Sequence, residues 1–235
     1  MTEPHPPALE PHAFWQELHA PGSFPVNIGH RNFFPATLPS GEQLRLPIRP
    51  LADGKHALAS LIVNQAGFTV LDALAQGLAV RLTPFTPDVV VGLPTLGLTL
   101  AAETARRLGH SRYVPLGTSR KFWYDDSLSV PLTSITTPDQ IKRLYVDPRM
   151  LPLLQGRRIA LVDDVISSGT SIRAALDLLA SLGLTPVVIG AAMLQSRRWC
   201  EGAEGPDHWT TRTVGCFETP MLEKGPDGLW YVPEG

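Results

Sequence analysis

The chain has 235 residues, 43% hydrophobic and 18% charged, with a formal net charge of −2, which suits one good core with an appended region. The lysines and arginines are scattered, so the sequence offers no basic footprint for nucleic acid and argues against a duplex-binding role. Two cysteines, Cys200 and Cys216, form no CxxC pair, which argues against a disulfide framework or a zinc ribbon.

The opening MTEPHPPALEPH lacks a basic stretch followed by an apolar one, and no apolar run approaches the roughly 20 residues that span a bilayer. A mobile, proline-stiffened tail on a soluble, unsecreted, cytoplasmic protein is expected. The segment HAFWQELHA is predicted as a short helix ended by Pro21 and Gly22, closing an N-terminal part over 1–25. Residues 26–57 read as a small β-rich unit. Two extended pieces flank the turn Pro39-Ser40-Gly41, with Leu44, Leu46 and Ile48 alternating against Gln43, Arg45 and Pro47.

From Leu58 the pattern changes. FTVLDALAQGLAVRL carries Val70, Leu71, Leu74, Leu78 and Leu82 at helical spacing, and DVVVGLP follows as a strand. LTLAAETARRLG is an amphipathic helix closed by Gly109, SRYVPLG a strand, and RRIALVDDV a continuous apolar strand ending at the acid pair. SIRAALDLLASLG is a helix with Ile172, Leu176, Leu179 and Leu182 inward, and PVVIGAAML is the next strand. Strands alternating with helices predict an α/β fold, a parallel sheet flanked by helices over a core at 58–195. Residues 196–235 carry Trp199, Trp209 and Trp230 and suggest an extension ending in a hairpin about Asp227-Gly228, its tryptophans packed in a core or an interface.

Ligands of such sheets bind beyond the carboxyl ends of the strands, which directs attention to VDDVISSGTS. Asp163 and Asp164 end the strand, and Ser167, Ser168, Gly169, Thr170 and Ser171 lead into a helix start. There free N–H groups, hydroxyls and the helix dipole converge. A helix N-cap with solvated acids needs only one hydroxyl and leaves the others and the acid pair unexplained. A carboxylate pair beside a phosphate cradle suits a sugar phosphate. No GxxxxGK[ST] and no GxGxxG accompanies it.

The run Ile159 to Ser171 resembles the 5-phosphoribosyl 1-pyrophosphate motif of type I phosphoribosyltransferases, and the resemblance covers about Leu58 to Leu194. It implies that Asp163 and Asp164 bind the ribose hydroxyls and that Ser167, Ser168, Gly169, Thr170 and Ser171 wrap the 5′-phosphate. VVVGLPTLGLTL is similar to the family's pyrophosphate turn, with N–H groups at Thr95, Leu96 and Gly97, backbone freedom at Gly92 and Gly97, and a bend at Pro94. Unlike several members, this turn has no arginine or lysine, and taken alone it also reads as an ordinary strand-turn-helix. The long polar stretch over 117–143 corresponds to a flexible lid, which places Arg120 and Lys121 as catalytic basic residues against the departing pyrophosphate. Phe122, Trp123 and Tyr124 either stack on a base or pack the closed lid, while Asp125 and Asp126 are expected to be solvated. No histidine pair has metal-ligand spacing.

By the same resemblance, Mg2+ is the cofactor, touched by Asp163 and Asp164 only through water or substrate. The partners implied are phosphoribosyl pyrophosphate, a nucleobase and a second copy in a homodimer, with no nucleic acid and no membrane. Members acting on 6-oxopurines carry an aspartate three residues after the second acid. Here that position is Ser167, and the β-rich segment sits where adenine- and orotate-type members carry a hood. The expected function is phosphoribosyl transfer to adenine or another purine in nucleotide salvage. An orotate-type enzyme and a non-catalytic regulator that binds phosphoribosyl pyrophosphate are the alternatives.

Overall fold

Four strands predicted from Leu58 onward, joined by one from the C-terminal region, assemble into a five-stranded parallel sheet with the order β10-β9-β8-β4-β5 in the computed structural model, which describes residues 9–132, 142–202, 205 and 208–233. Its strands are β4 (Val89–Gly92), β5 (Val114–Pro115), β8 (Ile159–Ile166), β9 (Val188–Gln195) and β10 (Thr213–Thr219). Along β8 the side chains alternate between two cores. Ala160 and Val162 face Leu74 and Leu78 of α1 (Phe68–Leu82) and Leu100 of α2 (Gly97–Arg107). Ile159 and Leu161 join Ile172, Leu178 and Leu179 of α3 (Thr170–Ser181) on the other face. Burial on both faces explains why β8 and β9 are apolar almost throughout.

A second five-stranded sheet, the hood, has the order β1-β2-β3-β11-β12, from β1 (Phe33–Thr37), β2 (Gln43–Pro50), β3 (His56–Ala59), β11 (Met221–Lys224) and β12 (Trp230–Tyr231), all antiparallel. A bridge between His30 and Trp230 brings the chain just before β1 back against β12, so the hood curls almost onto itself. Its inner residues Leu44, Leu46, Ala57 and Leu222 share one core with α1 and α2. A two-stranded ribbon, β6 (Ser129–Leu132) and β7 (Lys142–Tyr145), bridges to the parallel sheet through Gly117 and Tyr145. No helix among the described residues is long and apolar enough to cross a membrane.

Several sequence expectations need correction. HAFWQELHA is not a helix: a short 3-10 turn covers Pro11–Ala13, Phe14 is extended, and Trp15 has a φ of 62°. The adjacent rings of Phe14 and Trp15 are both buried, and Trp15 Nε1 donates to the Ser60 carbonyl at 3.0 Å, which a regular helix does not combine. The strand expected to end at Asp163 and Asp164 continues to Ile166, because its ladder with β9 runs on to Leu194. On α3, Ala175 and Leu178 are the fully buried positions alongside Ile172 and Leu179, and Leu176 and Leu182 are half-buried. Residues 196–235 do not stand apart: β10 extends the parallel sheet, while β11 and β12 complete the hood as the expected hairpin, turning at Gly228 with φ 79°. The expectations for the opening tail (1–8) and the middle of the lid (133–141) lie outside the described residues.

Candidate active site

The carboxyl ends of the parallel strands carry the acid pair. Asp163 and Asp164 are 8% and 7% exposed, and Asp163 Oδ1 accepts a hydrogen bond from the Asp164 N–H at 2.9 Å. Burial drives the Asp163 carboxyl well above the usual carboxylate range, with the Asp164 charge adding to it. Burial raises Asp164 as well, opposed by hydrogen bonds to its charged form. Two acids buried side by side are costly unless something of opposite charge, or hydroxyl donors, joins them.

Downstream of Ile166 the chain turns through Ser167 and Ser168 to Gly169, whose φ of 75° starts α3 in the left-handed region. The N-cap, Gly169, has no side chain to cap α3; Ser168 Oγ accepts a long hydrogen bond from the Thr170 N–H at 3.5 Å and shares one with Thr170 Oγ1 at 3.0 Å. These residues line a cavity of about 110 Å³ running from Asp163 through Ser171. An uncapped helix start with converging hydroxyls is a ready anion site.

Across from it, the turn after β4 carries Thr95 and Leu96 exposed at the uncapped start of α2, with a cis Pro94–Thr95 peptide. Gly92 and Gly97 were expected to supply backbone freedom, yet neither has a positive φ. They allow close approach instead. A β-carbon on Gly92 would lie 2.7 Å from Ala101 Cβ, and one on Gly97 would lie 2.7 Å from Asp163 Oδ1. The turn and the acid pair are thus brought together.

Arg120 and Lys121 are not brought to the acids. Arg120 donates to Asp126 Oδ1 at 2.7 Å, Lys121 is exposed, and among the described residues neither bonds to the segment from Asp163 to Ser171. Asp125 and Asp126 are exposed to solvent, as expected, and carry local bonds as well. Asp126 pairs with Arg120, and Asp125 accepts from the Ser127 N–H at 2.9 Å, which lowers its pKa. Of the aromatic trio, Phe122 is 92% exposed. Trp123 lies under the Arg149 guanidinium at 4.4 Å and donates to Asp147 at 3.3 Å, and Tyr124 packs on Tyr145.

Two arginines escaped the sequence reading, and Trp209 was expected only as packing. Arg198 Nη2 donates to Ser167 Oγ at 3.1 Å, and Arg173 Nη2 donates to the Ser168 carbonyl. Trp209 backs the turn so closely that a β-carbon on Gly169 would sit 2.9 Å from Trp209 Cη2. The sequence signal for Arg198 and Trp209 was the density of arginine and tryptophan in SRRWC and HWTTR, and Arg173 carried none. Among the described residues, no group of three His, Cys, Asp or Glu side chains comes together as metal ligands. The donor set at the site is therefore two carboxylates, which suits a cation that takes its other ligands from water and phosphate oxygens.

The family profile of the phosphoribosyl transferase domain matches residues 61–220. Among curated proteins, the chain is 28% identical over 137 residues to xanthine phosphoribosyltransferase of Chloroflexus aurantiacus, covering 57% of this chain and 60% of that protein. It is 32% identical to the bifunctional protein PyrR of Streptomyces coelicolor, covering 54% of this chain and 63% of that one. It is 33% identical to adenine phosphoribosyltransferase of Xanthomonas axonopodis pv. citri, covering 60% and 67%. The chain thus spans roughly three-fifths of the length of the curated relatives it matches. Among solved structures, adenine phosphoribosyltransferase from Giardia lamblia complexed with 9-deazaadenine superposes with a TM-score of 0.56 at 20% identity, over 74% of this chain and 93% of that one. The likeness at that identity is one of fold.

Proposed function

The chain belongs to the phosphoribosyl transferase family, and from that premise we propose that it transfers phosphoribose from 5-phosphoribosyl 1-pyrophosphate to a nucleobase. A ring nitrogen of the base forms a bond to ribose C1 as the C1–O bond to pyrophosphate breaks; the electron pair of that bond leaves with the pyrophosphate, and the proton given up by the base passes to the pyrophosphate or to water. The protein's task in such a displacement is to position the reactants and to stabilise charge.

The observation that carries this reading is the contact of the buried acid pair with two uncapped helix starts, α3 through the hydroxyl turn and α2 through Gly97. Asp163 and Asp164 would accept hydrogen bonds from the ribose hydroxyls, which relieves their burial. Ser167 to Ser171 would hold the 5′-phosphate, and the N–H groups of Thr95, Leu96 and Gly97 the pyrophosphate. Arg120 and Lys121, on the segment leading to β6, would neutralise the leaving group once Arg120 exchanges Asp126 for phosphate oxygens. Mg2+ would be held by the acid pair through water and by the substrate, and when bound it supplies charge neutralisation for the pyrophosphate. A homodimer in the cytoplasm belongs to the same reading.

For the acceptor, Ser167 in place of a third acid supports adenine or another purine, with an orotate-type base as the alternative. A regulator that binds phosphoribosyl pyrophosphate without turnover is the second reading, favoured by the engagement of Arg120 with Asp126. The test is incubation with phosphoribosyl pyrophosphate, Mg2+ and a panel of bases. Pyrophosphate release with one or more bases is expected, and ligand binding without release with any base would favour the regulator.

A further inference from the structure

A groove on the outer face of α3, lined by none of the residues from Asp163 to Ser171, has no task in the scheme above. One wall is the stripe Arg173, Asp177 and Ala180 of α3, spaced four and three residues apart and therefore on one helix face. The other is the short 3-10 turn Trp209–Arg212, and buried Leu184 and Pro186, ahead of β9, give the groove an apolar lining. It holds about 420 Å³, the size of a small-ligand site. Its polar groups are unbalanced. Arg173 and Arg212 meet a single carboxylate, Asp177, and among the described residues neither arginine enters an ion pair. Arg212 Nε and Trp209 Nε1 have no hydrogen-bond partner, the latter in a residue only 7% exposed. On a chain of net charge −2 this is a local excess of donors and positive charge, and unpaired donors call for an acceptor.

Two side chains belong to this groove and to the hydroxyl turn at once. Arg173 Nη2 donates to the Ser168 carbonyl, and its guanidinium lies over the Trp209 ring at 5.8 Å. Trp209 in turn stands against Gly169. A phosphate oxygen, being charged, binds a guanidinium about twice as strongly as a neutral carbonyl does. An anion in the groove therefore draws Arg173 away from Ser168, and the turn loses the bond that braces it from outside.

The geometry points to a second, regulatory site in this groove for a nucleoside phosphate, whose occupation loosens the hydroxyl turn and weakens its hold on a sugar phosphate. The phosphate pairs with Arg173 and Arg212, because guanidinium forks match its oxygens. The ring of the ligand lies against Leu184 and Pro186, beside the Trp209 indole, an apolar lining that inorganic phosphate leaves unused. Asp177, between the two arginines in the groove, accepts from a ribose hydroxyl. The site itself stands whether or not the chain transfers phosphoribose; only the antagonism rests on the hydroxyl turn being a phosphate site.

The test is calorimetric titration of AMP, GMP and UMP, with guanosine and inorganic phosphate alongside, into wild type, Arg212→Gln and Ala180→Glu, with Tm as the check on folding. Ala180 is exposed on the helix, so a carboxylate there repels an anion from the groove without disturbing the core. Wild type should bind two molecules of at least one nucleotide per chain, one at the hydroxyl turn and one in the groove. Both variants should weaken the second by about tenfold or more and leave the first unchanged. Stopped-flow displacement of bound ribose 5-phosphate reads the coupling. A simple competitor leaves the rate of release independent of its concentration, whereas the nucleotide should raise it by about fivefold or more in wild type and in neither variant. One nucleotide per chain, with the same affinity in all three proteins, would overturn the site. Inorganic phosphate binding the groove as tightly as the nucleotide would overturn the assignment to a nucleoside phosphate. A displacement rate that stays flat in wild type would overturn the antagonism. Binding is read without turnover, so failure of every base in the transfer assay refutes the transfer reading and not this one.

Discussion

Gly97 rests directly on Asp163: a β-carbon at Gly97 would come within 2.7 Å of the carboxyl Oδ1 and 2.9 Å of the Asp163 Cα. Backbone atoms stand behind that contact, so the start of α2 would have to move away from β8. Gly97→Ala is predicted to cost about 1–3 kcal/mol of stability by overpacking. By separating the two anion sites it should also reduce kcat/KM for phosphoribosyl pyrophosphate by about tenfold or more. Urea unfolding and steady-state kinetics measure the two effects, and a fully active Gly97→Ala protein would show that the close approach is dispensable.

The buried acids make a pH prediction. Both carboxyls titrate above their unfolded value, so the folded state holds protons that the unfolded state has released. Their contribution to stability is full below the unfolded value of 3.8 and is lost as pH rises through the raised folded values. In the absence of ligand, Tm should therefore fall across that rise. Asp163→Asn should flatten the fall and leave the ligand-free protein more stable at neutral pH, yet remove thermal stabilisation by phosphoribosyl pyrophosphate with Mg2+. An equally steep fall in the variant would place its origin elsewhere.

Trp209 is 7% exposed and supports Gly169 from behind, with the Trp199 ring 5.9 Å from its own. Trp209→Ala should cost about 3–5 kcal/mol, as large aromatic truncations do, and should loosen the hydroxyl turn. Ribose 5-phosphate should then bind at least about tenfold more weakly, measured by calorimetry below the variant's unfolding temperature. Trp209→Phe should recover most of that affinity, because contact with Gly169 needs an aromatic plane more than an indole N–H.

Lys121 and the Arg120–Asp126 pair separate turnover from binding. Lys121→Ala should lower kcat about tenfold or more, with little change in thermal stabilisation by phosphoribosyl pyrophosphate, because charge on the leaving group grows only in the transition state. Asp126→Asn frees Arg120 from an exposed ion pair and should leave Tm almost unchanged, as exposed pairs contribute about 0–1 kcal/mol. Chelation with EDTA should abolish pyrophosphate release, and added Mg2+ should restore it.

Much of this architecture could be read from local pattern. The spacing from Phe68 to Leu82 marked α1, and the apolar run before the acids marked β8. The turn at Pro39-Ser40-Gly41 marked the β1–β2 hairpin. These features depend on neighbours in sequence. What could not be read depends on distant partners. Arg198 meets Ser167, Trp209 meets Gly169, and Gly97 meets Asp163 only once the sheet has aligned their strands. The side chains of Phe14 and Trp15 overrode a helical pattern for the same reason, each being fixed in a core built by other segments.

The hood's topology also sets an order of assembly during synthesis. Strand β3 pairs on one side with β2, its neighbour in sequence, but on the other with β11, which emerges only after every strand of the parallel sheet has been made. Until then the edge of β3 is an unpaired template in a nascent chain whose acid pair and hydroxyl turn are already in place. A ribosome paused between α3 and β10 would therefore hold a chain with the acid pair and hydroxyl turn made but the hood still lacking β11 and β12. Chaperone binding to the β1–β3 edge should peak at that length and vanish once Met221–Lys224 has cleared the exit tunnel.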